Sequence, residues 1–193
     1  MPINSQKLQA WLQLIRPPNL ITVIGDPIAG ALLALSAGAK ENIVAVIFIP
    51  VVSLLLYIAG LIMNDYTDIE EDKTDRPSRP LPSGIILPRN AIITAMGIAL
   101  AGTGIAFLIN PITGITAILL IITIALYNFT LKKEKLIGPV IMGLCRGLSF
   151  LLGAFAIGYK IGIDSFSIIY AMLAIIFYIA AITGIAENET EKI

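Results

Sequence analysis

The segment 64-NDYTDIEEDKTDRPSRPLPSG-84 directly follows an apolar run that extends from Ile43 to Met63. An apolar run of this length is enough for a membrane-spanning helix, which takes about 20 residues. Six of the thirteen carboxylates in the chain lie between Asp65 and Asp75. The sequence therefore places an acidic cluster where a spanning helix reaches the bilayer surface, and two arginines, Arg76 and Arg79, follow that cluster.

The composition is that of an integral membrane protein. Of the 193 residues, 57% are hydrophobic and 13% are charged, and the mean hydropathy is +0.90, whereas about a quarter of the residues in a soluble domain are charged. The absence of histidine excludes His-based acid–base catalysis and His-ligated zinc or haem. A net charge of zero gives no reason to expect nucleic-acid binding. The single cysteine, Cys145, is interpreted as a small buried apolar residue.

Six apolar segments are each long enough to span a membrane. Because lipid offers no partner for backbone N–H and C=O groups, we predict an all-α, polytopic transmembrane helix bundle that forms one domain over residues 1–193. The predicted spans are 17–39, 43–63, 91–109, 112–131, 137–158 and 165–186. Small residues are expected to let helices approach closely; they are Gly102, Gly104, Gly153, Gly158 and the Gly143–Gly147 GxxxG step.

The distribution of lysine and arginine predicts the orientation, because cytoplasmic loops are enriched in these residues. With the N-terminus in the cytoplasm, ten of the thirteen lie on the cytoplasmic side, two (Lys40 and Lys160) lie on the other, and Arg146 lies within a helix. We therefore expect a multi-pass protein of the cell membrane with its acidic cluster facing the cytoplasm.

The acidic cluster has a helical register. If the second spanning helix continues past Met63, its period of 3.6 residues aligns Asn64, Asp68 and Asp72, with Asp65 beside them. Carboxylates on one stripe repel each other unless a cation intervenes, and Mg²⁺ accepts one or two carboxylates together with phosphate oxygens. The pattern therefore suits a Mg²⁺-bridged diphosphate. The alternative is a solvated acidic helix end with arginines that anchor it at the membrane surface.

These residues also form a recognisable motif. Asn64-Asp65-x-x-Asp68-x-x-x-Asp72, followed by Arg76-Pro77-x-Arg79-Pro80-Leu81-Pro82-Ser83-Gly84, resembles the first signature of the UbiA superfamily of intramembrane prenyltransferases. Arg16-Pro17-Pro18-Asn19 is similar to the entry of that family's first helix, and Tyr127 to Lys133 to the end of its fourth. Within the superfamily, Cys145 to Ser149 and Pro17 to Leu20 look more like the EboC-like branch than the hydroxybenzoate enzymes.

The resemblance implies the transfer of a polyprenyl group from its diphosphate to a lipophilic acceptor, either an aromatic ring or a glycerol-phosphate hydroxyl, with Mg²⁺ as cofactor. It also implies residue roles. Metal ligands would be Asn64, Asp65, Asp68 and Asp72, and the catalytic set would be Asp65, Asp68, Asp72 and Tyr127. Residues that bind substrate would be Arg16, Asn19, Asp26, Arg76, Arg79, Lys132, Lys133 and Arg146.

The pattern also departs from the family, whose members usually have nine helices and a second aspartate-rich motif after the sixth. Here Glu187 and Glu191 occupy that position and are predicted as further metal ligands, with a solvated acidic tail as the alternative. The six spans imply a C-terminally incomplete domain, a cavity completed by a second copy in a homo-oligomer, or a chain that is no longer an enzyme.

Two charged residues lie inside predicted spans. Asp26 and Arg146 are each about nine residues from the cytoplasmic end of their helix, a depth of about 14 Å at ~1.5 Å per residue. Ionisable groups inside a membrane are costly and are functional candidates. We expect the two to pair, or to lie together on the cavity wall, and to recognise the polar group of the acceptor. Alternatively, backbone carbonyls or cavity water satisfy each one separately.

Two other functions remain open at this point. The same cavity would serve a non-catalytic carrier or transporter of isoprenoid or membrane lipid, and the chain could be a structural membrane subunit.

Overall fold

The computed structural model describes residues 5–40 and 42–190, without the side chains of 159, 161–164 and 187–190. Within these ranges the chain is helical and has no strand. The elements are α1 (Ser5–Ile15), α2 (Pro17–Val23), α3 (Gly25–Ser36), α4 (Ile43–Thr67), α5 (Ile69–Asp75), α6 (Pro88–Ile109), α7 (Pro111–Leu126), a π-helical turn (Tyr127–Leu131), α8 (Ile137–Asp164) and α9 (Phe166–Thr190).

Six segments of the described chain are long and apolar enough to cross a membrane, which confirms the predicted class of fold. The first of them, Ser5–Ser36, differs from the prediction because it begins twelve residues earlier and is broken twice. Pro17 and Pro18 favour a new helix start, and Pro27 lacks the N–H that would continue the hydrogen-bond ladder near Ile24. The sequence therefore gives three short helices where we predicted one.

We did not predict the helix α1, because polar residues alternate with its apolar ones and the segment does not read as a continuous apolar run. Ala10 and Leu14 are buried against α4 and the segment that follows α5, whereas Leu8 and Leu12 are exposed. A helix with one apolar face and one polar face is suited to the membrane interface. Its C-terminal end carries Arg16 to the point where α4 ends.

The main core lies where α3, α4 and α7 pack around α8. The closest approach joins α3 to α8, because a Cβ at Gly153 would lie 1.8 Å from the Pro27 carbonyl oxygen and one at Gly30 would lie 2.0 Å from the Phe150 carbonyl oxygen. Only glycine permits backbones to approach so closely. This contact fixes the position of Asp26, which precedes Pro27, against α8.

The other predicted glycine contacts are confirmed with one exception. The GxxxG step packs on α9, where a Cβ at Gly143 would lie 2.4 Å from the Ile176 carbonyl oxygen. Gly102 approaches α4, and Gly158 approaches Ala39. The prediction for Gly104 was wrong, because a Cβ there would meet nothing within 4 Å. Gly104 lies on the exposed side of α6, and sequence spacing alone did not reveal which side packs.

Candidate functional site

The acidic cluster lies at the junction of α4 and α5. Asp68 ends α4 with φ −92° and ψ 3°, yet its N–H donates to the Asn64 carbonyl at 3.1 Å and its carbonyl accepts from the Asp72 N–H at 2.8 Å. The helical period therefore continues through the junction, as predicted. Asn64, Asp68 and Asp72 lie along one side of it.

Asp65 and Asp72 form one half of the cluster and share an arginine. Both are buried, at 5% and 2% exposure. Arg79 Nη1 donates to Asp72 Oδ2 at 2.8 Å and lies 3.7 Å from Asp65 Oδ1. Arg16 donates to the same Asp65 oxygen, and Arg76 Nε lies 3.8 Å from Asp72 Oδ1. Three guanidinium groups therefore face the two buried carboxylates, and their positive charge offsets part of the cost of burial.

Asn64 and Asp68 form the other half. The Asn64 side-chain amide donates to Asp68 Oδ2 at 3.1 Å, and Lys132 donates to Asp68 Oδ1. Lys132 also donates to the Thr67 hydroxyl at 2.9 Å. The π-helical turn at the end of α7 brings Lys132 here, and π-helical turns occur frequently at functional sites.

Arg16 reaches the cluster through an unusual backbone conformation. With φ +50° and ψ +66° it lies in the left-handed region, and no other non-glycine residue of the described chain has a positive φ. Such a conformation costs on the order of 1–3 kcal/mol and persists only where the surroundings hold it. The ion pair with Asp65 and the proline that follows Arg16 hold it here.

Lys133 points away from the cluster, on the outer surface. It donates to Glu71 Oε2 at 3.0 Å, and its side chain is 75% exposed. The hydrogen bond and charge of Lys133 lower the pKa of Glu71 from its ordinary value, and those of Glu71 raise the pKa of Lys133. The structure therefore brings Lys132, but not Lys133, to the predicted diphosphate contacts.

A cavity of about 310 Å³ extends from the cluster into the bundle. Arg16, Asn64 and Tyr127 lie on its wall together with residues from the membrane interior. Its remaining lining residues are Val23, Asp26, Ser53, Tyr57, Gly60, Leu61, Leu120, Ile124, Asn128, Met142, Cys145, Arg146 and Ser149. Tyr127 thus lies on the cavity wall, and its catalytic role stays a prediction. A pocket that is largely apolar with a few polar groups is typical of a site for an amphiphilic ligand.

Asp26 and Arg146 meet on the wall of this cavity. Arg146 Nε lies 2.7 Å from Asp26 Oδ2, and Arg146 Nη2 donates to Asp26 Oδ1 at 3.2 Å and to the Thr22 carbonyl at 3.3 Å. The structure therefore pairs them, as counting residues from the ends of the two spans suggested. Their role toward an acceptor stays a prediction.

Sequence reasoning missed several polar groups of the cavity. The hydroxyls of Ser53 and Ser149 are hydrogen-bonded at 2.9 Å across α4 and α8, and Asn128 donates to the Gly60 carbonyl at 3.1 Å. Both serines and Asn128 are buried. The available signal was a polar residue in an otherwise apolar span, because lipid disfavours such groups unless another helix or a cavity receives them.

One further predicted site residue is not brought to the cluster, and two others lie outside the part that the structure describes. Asn19 is exposed on α2 and does not line the cavity. Glu191 lies outside the described residues, and the side chain of Glu187 does as well. Their predicted roles as metal ligands stay predictions.

The oxygen ligands of the cluster fit Mg²⁺ only when a substrate phosphate supplies the remaining ligands. No three carboxylate or cysteine groups among the described residues lie close enough together to hold a metal on their own. Mg²⁺ binds one or two carboxylates and takes its other oxygens from phosphate and water. Two buried carboxylates, Asp65 and Asp72, with Asp68 and Asn64 beside them, match that requirement.

Comparisons with known proteins agree with the motif. The model of the UbiA prenyltransferase family matches residues 27–190. The digeranylgeranylglyceryl phosphate synthase of Methanopyrus kandleri is 37% identical over 153 residues, which are 79% of this chain and 55% of the relative. This chain therefore spans about half the length of that relative.

Solved structures share the fold. A structure of digeranylgeranylglyceryl phosphate synthase superposes with a TM-score of 0.79 at 30% identity over 91% of this chain and 60% of the other. A UbiA homologue from Archaeoglobus fulgidus, bound to DMAPP and Mg²⁺, superposes with a TM-score of 0.72 at 16% identity over 88% and 60% of the two chains.

Proposed function

The chain belongs to the UbiA prenyltransferase family, and from this membership we propose that it transfers a prenyl group from a polyprenyl diphosphate to a hydroxyl of a glycerol phosphate lipid. The reaction is Mg²⁺-dependent and takes place within the membrane. One observation carries the proposal: a buried carboxylate cluster, held by Arg16, Arg79 and Lys132, lies at one end of a cavity whose wall continues into the bundle.

Asp65, Asp68, Asp72 and Asn64 would hold the metal, which supplies positive charge to the departing diphosphate. The chain adds cations of its own. Arg79 and Arg16 contact the carboxylates, and guanidinium groups also bind phosphate oxygens in pairs. On substrate binding, Arg79, Arg16 and Lys132 would each shift a hydrogen bond from a carboxylate to the diphosphate. Arg76, at the exposed edge, would do the same.

The residues of the cavity determine where the prenyl chain lies. Leu61, Leu120, Ile124 and Met142 supply an apolar wall that excludes water from the allylic carbon, and a dry site strengthens the electrostatic contacts of the leaving group. The phenol of Tyr127 lies on the same wall near the mouth, where it would face the allylic end.

The acceptor is proposed from the relatives. The named product of the Methanopyrus relative carries two geranylgeranyl groups on glyceryl phosphate, so a hydroxyl acceptor fits better than an aromatic ring. The Asp26–Arg146 pair, with Ser149 one helical turn beyond Arg146, gives the cavity a polar region. We place the polar part of the acceptor there.

We also place the cluster on the cytoplasmic side of the cell membrane. Ten of the thirteen lysines and arginines belong to segments on that side in the predicted orientation, and the bias sets topology in multi-pass proteins. Soluble polyprenyl diphosphates would then reach the mouth directly.

The proposal is tested with the purified chain in lipid nanodiscs, Mg²⁺ and labelled geranylgeranyl diphosphate. With a glycerol phosphate lipid that has a free hydroxyl, we expect an ether product and an equal amount of released diphosphate, and neither in the presence of EDTA. Hydroxybenzoate in place of the lipid serves as the comparison acceptor. Mg²⁺-dependent binding of the diphosphate without its release would instead identify a carrier.

The two adjacent lysines give a matched test of the site geometry. Lys132→Ala is expected to weaken binding of geranylgeranyl diphosphate by roughly 10- to 100-fold, because a hydrogen bond to a charged group is worth about 1.5–3 kcal/mol. Lys133→Ala removes a charge that faces Glu71 on the surface, and exposed pairs contribute about 0–1 kcal/mol. Isothermal titration measures both. Equal losses would contradict the placement of Lys132.

A further inference from the structure

We propose that Asp26 is the proton acceptor for the hydroxyl that attacks the prenyl group, an inference that rests on the proposed function. Asp26 supplies the single carboxylate among the described residues on the cavity wall. None of the carboxylates of the acidic cluster lines that cavity. Asn64 is the one residue of the cluster that does. The other polar lining groups are hydroxyl, thiol, amide and guanidinium groups, none of which is a base in its ordinary form.

The reaction requires such a base. The bond between the allylic carbon and the diphosphate oxygen breaks, and its electron pair leaves with the diphosphate. A lone pair of the hydroxyl oxygen then forms the new carbon–oxygen bond, and the hydroxyl proton must go to another atom. Asp26 is the carboxylate that the described residues place on the wall, so it is the positioned group able to receive that proton. The products are an ether, free diphosphate and a protonated Asp26, which returns its proton to water at the mouth.

Arg146 positions Asp26 for this role. Its guanidinium binds both carboxylate oxygens, Nε at 2.7 Å from Oδ2 and Nη2 at 3.2 Å from Oδ1, and a further hydrogen bond to the Thr22 carbonyl fixes its orientation. A carboxylate has about four lone-pair positions, so the pairing leaves capacity to accept a substrate hydroxyl. The close contact of Gly153 with Pro27 holds the two helices in this arrangement.

The test separates binding of the diphosphate from attack by the acceptor. Asp26→Asn in the full chain is expected to bind geranylgeranyl diphosphate and Mg²⁺ with an affinity within about threefold of the unsubstituted protein, because Asp26 lies on the cavity wall outside the acidic cluster. Ether formation with the hydroxyl lipid should fall roughly 100- to 10,000-fold, the usual contribution of a general base. Isothermal titration measures the binding, and chromatography of the labelled prenyl group measures the ether.

A thiol analogue of the acceptor lipid distinguishes a base from a structural ion pair. A thiol loses its proton far more readily than an alcohol, so at saturating acceptor the loss of rate in Asp26→Asn should be at least about tenfold smaller with the thiol than with the hydroxyl. Asp26→Glu should partly restore reaction with the hydroxyl. An equal loss with thiol and hydroxyl, or a loss of diphosphate binding in Asp26→Asn, would overturn the inference. An unsubstituted chain that forms no product would instead overturn the proposed function.

Discussion

Asp72→Asn is expected to reduce Mg²⁺-dependent release of diphosphate by roughly 100- to 1000-fold, the scale of losses when one group that stabilises developing charge is removed. Asp72 is buried, and it contacts both arginines of the RPxRP segment at residues 76–80, Arg79 at 2.8 Å and Arg76 at 3.8 Å. The substitution removes a proposed metal ligand and leaves Arg79 with Asp65 as its remaining carboxylate partner. Release of diphosphate from labelled geranylgeranyl diphosphate measures the effect.

Asp75→Asn is the matched control for this variant. Asp75 lies three residues away on the same short helix and is exposed. Asp75→Asn therefore removes the same charge without disturbing buried contacts. We expect less than about a threefold effect, as for surface substitutions in general. If both variants lose activity equally, the acidic segment acts through its net charge, and a specific metal site at Asp72 is ruled out.

Much of this site could be predicted from the chain because helices have a fixed period. The alignment of Asn64, Asp68 and Asp72 follows from 3.6 residues per turn and survives the break at Asp68. The pairing of Asp26 with Arg146 could be anticipated because both lie at a similar depth in a medium that penalises an unpaired charge. These features depend on the helical period and on the depth of a residue in the membrane, and both can be counted along the sequence.

Features that depend on which helices pack together could not be predicted. The Ser53–Ser149 hydrogen bond joins residues 96 positions apart, and no periodicity within α4 or α8 indicates that these faces meet. The same limit explains the wrong expectation for Gly104, whose spacing resembles that of Gly102 although it faces outward. Arg79 bridges two carboxylates only because the irregular segment after α5 turns back, anchored by buried Leu81 and Ile86.

Gly153→Ala is expected to have the largest effect on stability. A methyl group there would lie 1.8 Å from the Pro27 carbonyl oxygen and 2.6 Å from the carbonyl carbon. These are backbone atoms, so no side chain can rotate away, and α3 must separate from α8. Overpacking of a tight interior typically costs about 1–3 kcal/mol and more where backbone must move. We expect a markedly lower midpoint of thermal unfolding in nanodiscs, with loss of most folded protein at 37 °C.

Gly104→Ala provides the control, because both glycines lie inside long helices and receive the same methyl group. At Gly104 that group meets nothing within 4 Å, and alanine is a better helix former than glycine by about 1 kcal/mol. The two variants should therefore shift the unfolding midpoint in opposite directions. Because Asp26 precedes Pro27 and Arg146 lies two turns before Gly153, separation of the helices would also pull the ion pair apart. Equal stability of the two variants would contradict the close packing of α3 on α8, and with it the geometry that presents Asp26 to the cavity.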